Sequence, residues 1–328
     1  MSIKRLNSKK LSFYKIAALW CLLAGLCPLS AQQEGNQITQ YMFNTYAYNA
    51  GFAGMSNGIN ASLLHRQQWT GWGKGSEEKH IAPNSTVLLV DMPINAIKGG
   101  AGVELASYNV GYFRDIYVKL GYTYHLQTGF GLIGLGVRAQ IESVGLDNSK
   151  LKPDNASDIV ILSGKESENA LYGDVGIGFY LIGNEHYSVG IGLNNLISHR
   201  SSKISYRPSR TLAIHGSYTV SFPSLPKVEF TPSTYLETDF HLVNWMINLT
   251  GTFNKRFWAG LGYRLRDAVC INAGINIGKL QIGAAYDITA SRMIRASKIG
   301  GSFEVMVRYC FGLESEKVNT DYKNARYL

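Results

Sequence analysis

Ile116-Tyr117-Val118-Lys119-Leu120-Gly121-Tyr122-Thr123-Tyr124-His125-Leu126-Gln127-Thr128-Gly129-Phe130-Gly131-Leu132-Ile133-Gly134-Leu135-Gly136-Val137-Arg138-Ala139-Gln140-Ile141-Glu142 is the stretch whose reading decides the fold. In its first half Ile116, Val118, Leu120, Tyr122, Tyr124 and Leu126 are apolar or aromatic at every second position, with Tyr117, Lys119, Gly121, Thr123, His125 and Gln127 between them. A period of two is the mark of a strand whose two faces meet different surroundings. After Gln127-Thr128-Gly129 the alternation restarts, with Ile133, Leu135, Val137, Ala139 and Ile141 on one face and Gly134, Gly136, Arg138, Gln140 and Glu142 on the other. Each arm of this hairpin runs to about a dozen residues. Soluble strands average about five or six, whereas a tilted bilayer-spanning strand needs roughly nine to eleven, so length favours a membrane. The polar face, with Lys119, Arg138 and Glu142, suits a barrel lumen and equally the wet side of a soluble sheet. Repetition along the chain has to decide.

The alternation does recur. Ile59 to Gln68, Ser85 to Val90 and Gly100 to Ala106 precede the hairpin. Leu171 to Leu181, Tyr187 to Leu193, Leu212 to Phe222, Val228 to Leu236, Trp245 to Phe253, Phe257 to Leu265, Val269 to Ile277, Leu280 to Ile288 and Phe303 to Phe311 follow it, for about fourteen strands. Pro232, lacking an N–H, marks its strand as irregular or edge-like. Connections after even-numbered strands are mostly short, at Gln127 to Gly129, Gly183 to Glu185, Asn254-Lys255 and Gly278-Lys279. Several after odd-numbered strands are long, at Thr70 to Asn84, Ser143 to Asn169, Ser198 to Arg210 and Ala290 to Gly300, with Arg266-Asp267 a short exception. Outer-membrane barrels show this asymmetry, with short periplasmic turns and longer outer loops. The expected fold is therefore all-β: a transmembrane antiparallel β-barrel of about 14 strands over residues 59–311, integral to the outer membrane, with both termini on the short-turn, periplasmic side.

The chain of 328 residues is 45% hydrophobic, ordinary for a globular protein. Lys4, Arg5, Lys9, Lys10 and Lys15 precede a nearly all-apolar run from Ile16 to Cys27, and Leu29-Ser30-Ala31 offers a small-residue cleavage site, so residues 1–31 read as a signal peptide cleaved after Ala31. Its loss takes five basic residues from 32 and leaves 27 against 23 acidic ones, a net charge of +4 that implies no nucleic-acid partner. The cysteines that remain, Cys270 and Cys310, fall on non-neighbouring strands, which argues against a disulfide. No remaining segment has eighteen consecutive apolar residues, so an exported membrane protein of this sequence has to be a barrel. Residues 32–58, rich in Asn, Gly and Tyr, suit a segment at the barrel mouth or inside the lumen, and residues 312–328 form a polar tail.

Motifs for chemistry are wanting. Gly129-Phe130-Gly131-Leu132-Ile133-Gly134 spells the dinucleotide-binding glycine pattern but opens a strand, where that motif needs a helix N-terminus for the pyrophosphate. The seven histidines are scattered without ligand spacing, and no serine sits in a nucleophile elbow. No catalytic, cofactor-binding or metal residue is expected. On the inward face of the C-terminal strands, Arg264, Asp287, Glu304 and Arg308 form a candidate lumen charge ladder, read first as pairing that holds strand register. Inward glycines such as Gly134, Gly136 and Gly178 leave room for another segment to approach closely, as a lumen partly filled by the N-terminal segment would require.

Gln40-Tyr41-Met42-Phe43-Asn44, Asn49, Phe52-Ala53-Gly54 and Arg66-Gln67-Gln68-Trp69 resemble the N-terminal signature of the PorP/SprF family of the Bacteroidota type IX secretion system. Pro232-Ser233, Phe257-Trp258-Ala259-Gly260-Leu261-Gly262-Tyr263-Arg264, Asp267-Ala268, Gly283-Ala284-Ala285-Tyr286-Asp287 and Ser302-Phe303-Glu304 with Tyr309 resemble its later blocks in the same order. The chain departs from the family at Thr45 and Ala50, where prolines are usual, and in its tail after Gly312. The resemblance implies a non-enzymatic outer-membrane component, without cofactor, that assists export or surface anchoring of client proteins, gliding adhesins among them. Its partners would be outer-membrane lipid, the client, and other secretion components at the periplasmic face. Tyr41, Met42, Phe43, Asn44, Gly54, Arg66, Gln68, Trp69, Pro232, Ser233, Trp258, Gly260, Tyr263, Arg264, Asp267, Tyr286, Asp287 and Glu304 would be structural or partner-contacting residues of that family. The alternative function is an outer-membrane channel for small solutes or hydrophobic compounds.

Overall fold

The computed structural model describes residues 37–56, 58–70, 82–147, 167–184, 186–199, 207–290 and 300–312; the expected leader and all but the first residue of the expected tail lie outside them. The strands are β1 (Gly58–Gln67), β2 (Asn84–Ile94), β3 (Gly99–Val110), β4 (Phe113–Thr128), β5 (Gly131–Asp147), β6 (Ser167–Gly183), β7 (Tyr187–Asn194), β8 (Thr211–Tyr218), β9 (Val220–Phe222), β10 (Leu225–Thr238), β11 (Val243–Phe253), β12 (Phe257–Arg264), β13 (Ala268–Ile277), β14 (Leu280–Thr289) and β15 (Ser302–Gly312). Each pairs antiparallel with its neighbours, and β15 returns to pair with β1 from Gly58 opposite Gly312 to Gln67 opposite Phe303. The sheet is closed. Because β8 and β9 both pair with β10, they are one crossing broken at Thr219, and the barrel has 14 crossings.

That break relocates the irregularity expected at Pro232. The β10 strand is paired without interruption along β11, with Pro232 opposite Leu249. On its other side the register jumps from Ser233 opposite Ser217 to Phe230 opposite Val220, so the residue without an N–H faces the gap in its neighbour. Thr219, freed from the ladder, donates its N–H to the His186 carbonyl at 2.9 Å and shares a hydroxyl hydrogen bond with Thr231 at 3.0 Å. The proline strand is regular; its partner bends.

Register aligns the apolar faces into a belt. Ile282, Val307, Leu63, Leu88, Leu105, Val118 and Ile141 are successive partners across seven neighbouring strands, and all but half-buried Val118 are exposed. Such a ring of exposed aliphatics is a cost in water and a requirement in acyl chains. Exposed aromatics flank it: Phe113, Tyr263, Tyr286 and Phe303 toward one rim, and Tyr218, Phe253, Phe257 and Phe311 toward the other. That is the double girdle of a transmembrane barrel.

Connections 68–83, 148–166, 195–210 and 290–301 leave from one end, and 95–98, 129–130, 184–186, 223–224, 254–256 and 278–279 from the other. The connection expected from Ser143 to Asn169 is shorter than the sequence suggested, because β5 runs on to Asp147 and β6 begins at Ser167. There the outward residues Ser143, Gly145 and Asn169 are no longer apolar, while Val144, Ala170 and Tyr172 still pack together inside. Alternation reports contact with lipid, and these strands continue past it.

One expectation about the termini is corrected. Gly58 and Gly312, where the sheet starts and stops, lie at the short-turn end. The segment before β1, however, traverses the lumen. Gln37, Thr39 and Gln40 bond to Arg264, Asp287 and Glu304, which sit at the long-connection ends of β12, β14 and β15. Gly54 bonds to Asp91 near the short-turn end of β2. The segment therefore enters at the end opposite the one assumed for it, because a chain feeding β1 from inside the barrel must come from the far mouth.

Candidate functional site

The lumen is filled by Gln37–Ser56, which forms three single 3-10 turns at Tyr41–Phe43, Thr45–Ala47 and Ala50–Phe52. Thr39, Gln40, Tyr46, Asn49, Ala50 and Ala53 are all 0% exposed. So short a stretch of helix cannot satisfy its own peptide groups, and buried N–H and C=O groups need partners. The barrel supplies them with charged side chains, carboxylates to the N–H groups and cations to the carbonyls.

At the long-connection end Glu304 accepts from the N–H of Thr39 and of Gln40, both at 2.8 Å. Arg66 bridges Asp287 at 2.7 Å and Glu304 at 3.4 Å, and donates to the Thr39 hydroxyl at 2.9 Å. Arg264 donates to that same hydroxyl at 2.9 Å, to Gln37 at 3.1 Å, and to Asp267 and Asp287 at 3.0 and 3.2 Å. Thr39 in turn donates to the Asp287 carboxylate at 2.8 Å. The cluster is dry, with Arg66, Arg264, Asp287 and Glu304 between 0% and 2% exposed. Ions so buried are tolerated only when each is paired and hydrogen-bonded, as here.

At mid-barrel the polarity reverses. Arg138 donates to the carbonyls of Tyr46 and Ala47 at 2.8 and 3.0 Å and to Asn194 at 2.7 Å, while Lys119 reaches the Ala47 carbonyl at 3.4 Å and Glu104 at 3.3 Å. Asn194 donates to the Tyr48 carbonyl, Thr123 to that of Ala50 at 2.6 Å, and the Tyr46 hydroxyl to Gly102 at 2.9 Å. Toward the short-turn end Asp91 accepts from the N–H of Gly54 at 3.1 Å. Gly54 sits at φ 67° against the backbone of Met92 and Gly100, where a side chain has neither the dihedral nor the space.

Of the proposed ladder, Arg264, Asp287 and Glu304 are brought together, and Arg308 is not in their cluster. It lies on the same inward face of β15 but four residues on from Glu304, roughly 13 Å away. Arg66 takes the place at the centre. Its inward parity on β1 was readable, but which inward charges share a level depends on strand stagger. Glu104, Lys119 and Arg138 form the second cluster, unseen in sequence because their partners are main-chain carbonyls.

The family-like residues fall mainly on the plug–barrel contact. Tyr41 shares a hydrogen bond with Ser233 at 2.8 Å, Phe43 lies 4.9 Å from the Trp258 ring, and Asn44 accepts from Ser62 at 2.9 Å. Met42 is buried, and Gly260 leaves room for Asn272 beside it. Gln68 and Trp69 close the end of β1, donating their N–H groups to Pro83 and to Ser302. Tyr263 and Tyr286 point outward into the aromatic girdle instead. Among the described residues no group of His, Cys, Asp and Glu is arranged to hold a metal, and Cys270 and Cys310 are free thiols.

Glycine makes the close approach possible. A Cβ at Gly136 would overlap the Ala50 carbonyl oxygen, so Gly136→Val is expected to push against the plug and lower stability by ~1–3 kcal/mol, read as the urea midpoint of the detergent-solubilised protein. In a chain already lacking residues 37–56 the same substitution should change that midpoint little; an equal loss in both backgrounds would place the strain in the sheet instead.

A closed, plugged, lipid-belted sheet of fourteen crossings defines the class: a transmembrane β-barrel of the outer-membrane type. Residues 30–309 match the family model described as type IX secretion system membrane protein PorP/SprF, and the chain belongs to that family. No curated protein matches it. Among solved structures it is similar to the Ralstonia pickettii toluene transporter TbuX, with 9% identity over 81% of this chain and 92% of that one and a TM-score of 0.48. It is also similar to Omp33 of Acinetobacter baumannii, with 8% identity, 79% and 100% coverage and a TM-score of 0.44. A Pseudomonas aeruginosa FadL homologue shows 11% identity, 80% and 93% coverage and 0.43. The barrel assignment rests on the strand register given above, and nothing of those proteins' roles is carried over.

Proposed function

We propose that this protein is a non-enzymatic component of the type IX secretion apparatus that assists export or surface anchoring of particular client proteins, gliding adhesins among them. The observation that carries this reading is family membership over residues 30–309, joined to a lumen filled by the chain's own N-terminal segment. A filled lumen has little use in a solute channel and leaves the rims and connections as the working surfaces. Short turns face the periplasm in barrels of this type, so other secretion components would dock at that end, which also carries Gly312. The long connections and the entry of the plug at Gln37 would then face outward, toward the client. In this reading the Arg66–Asp287–Glu304–Arg264 cluster is the device that fastens the plug. A clean deletion is expected to remove one or a few proteins from the cell surface while leaving the rest, measured as a surface proteome. An unchanged surface proteome would overturn the reading. Co-purification from detergent-solubilised envelopes identifies the partner.

A further inference from the structure

At the short-turn end the plug leaves a cavity of about 120 Å³ against the wall formed by β6 to β14. Its lining differs from the rest of the lumen. Hydroxyls dominate, from Ser188, Ser217, Thr219, Thr231, Thr250 and Thr252, with aromatic surface from Phe43 and Tyr187, and no carboxylate. The wall on β11 to β14 carries polar groups without partners among the described residues. Trp258, 4% exposed, has its indole N–H unpaired, and Asn276 has its side-chain oxygen unpaired while its amide nitrogen holds the Lys255 carbonyl at 3.0 Å. Thr252 is the register partner of Trp258, and Gln281 that of Asn276, so these groups form one patch. Lys255 stands over it from the β11–β12 turn, and Arg308 is the register partner of Gln281 on the next strand. The nearest carboxylate by register is Glu229, opposite Thr252.

A buried indole N–H without an acceptor is costly unless something else supplies one. Hydroxyls that both donate and accept match a ligand whose own hydroxyls do the same, and a lone cation at the rim with no carboxylate in the lining favours a negative charge. The closed sheet offers no strand edge for main-chain pairing, which disfavours an extended peptide. We propose that this cavity is a binding site for an acidic saccharide. The sugar hydroxyls meet Thr252, Asn276, Gln281 and the Trp258 N–H, and its carboxylate meets Lys255. The site stands independently of the role in secretion proposed above.

The probe is D-glucuronate titrated into the full-length protein in detergent by calorimetry. For a ligand of this size a dissociation constant on the order of 1 mM is expected. Glucose should bind at least ~10-fold more weakly, and Lys255→Gln, in an exposed turn, should abolish that preference. Trp258→Phe, which keeps the ring and removes the donor, should weaken both sugars. Unchanged heat-modifiable gel migration shows that the variants fold. No saturable binding of glucuronate to the wild type, equal binding of glucose, binding unaffected by Lys255→Gln, or tighter binding of a free-carboxylate dipeptide than of glucuronate would each overturn the assignment.

Discussion

Deleting residues 37–56, so that the leader runs directly into Gly58, is expected to turn a silent barrel into a conducting one. Eight strands enclose a space that side chains alone can fill; fourteen do not, and here the difference is made up by the plug. Thr39, Gln40, Tyr46 and Ala50 are completely enclosed in that space. The deletion leaves the sheet itself intact, because no ladder pairing between β1 and β15 or along the remaining strands uses a plug residue. Stability should fall by less than the lost contacts suggest. Arg66, Asp287, Glu304, Lys119 and Arg138 regain water when the plug goes, so their desolvation is recovered along with the loss of their bonds. In planar bilayers the intact protein should show no steady current and the deleted one stepwise openings, which a peptide of residues 37–56 added back should reduce. A deleted protein that folds, by heat-modifiable migration, yet stays silent would mean that the inward side chains close the pore unaided.

The fold was legible in the sequence because the bilayer writes a period of two onto every strand it touches. Leu63, Leu88, Leu105 and Ile141 could be assigned to the outer face without coordinates, and so could the inward parity of Arg264, Asp287 and Glu304. Legibility ended where lipid contact ended. Beyond Ser143 the strand continues but its outward face is polar, so the alternation disappears and a loop is read in its place. The path of the plug was harder still, since Gln37–Ser56 has no period: its conformation is fixed by carboxylates and cations more than 200 positions away, such as Glu304 and Asp287 on Thr39. What the sequence did carry was a set of short motifs at both ends of the chain. Tyr41 with Ser233, Phe43 with Trp258, and Arg66 with Asp287 show those distant motifs to be two sides of one contact.

That contact predicts the largest single-residue effect. Arg66 is 1% exposed and bridges two carboxylates, so Arg66→Met is expected to lower stability by ~3–5 kcal/mol, the usual loss when one partner of a buried ion pair is removed. The reason is what remains. Asp287 keeps Arg264 at 3.2 Å, but Glu304 loses its guanidinium and is left with the N–H groups of Thr39 and Gln40. Two hydrogen bonds do not offset the burial of a full charge. Neutralising that charge as well should therefore help: Arg66→Met combined with Glu304→Gln is expected to be less destabilised than the sum of the two single changes, a coupling of ~1–3 kcal/mol in a double-mutant cycle. Glu304→Gln alone should loosen the plug rather than the sheet, because an amide can accept from only one of the two N–H groups. Urea unfolding in detergent gives the energies, and bilayer current reports the plug. The cluster acts as the fastening of the plug if Glu304→Gln leaks intermittently while Arg66→Met both leaks and unfolds early. Additive losses across the cycle, with the current still silent, would show these ions to be serving the sheet alone.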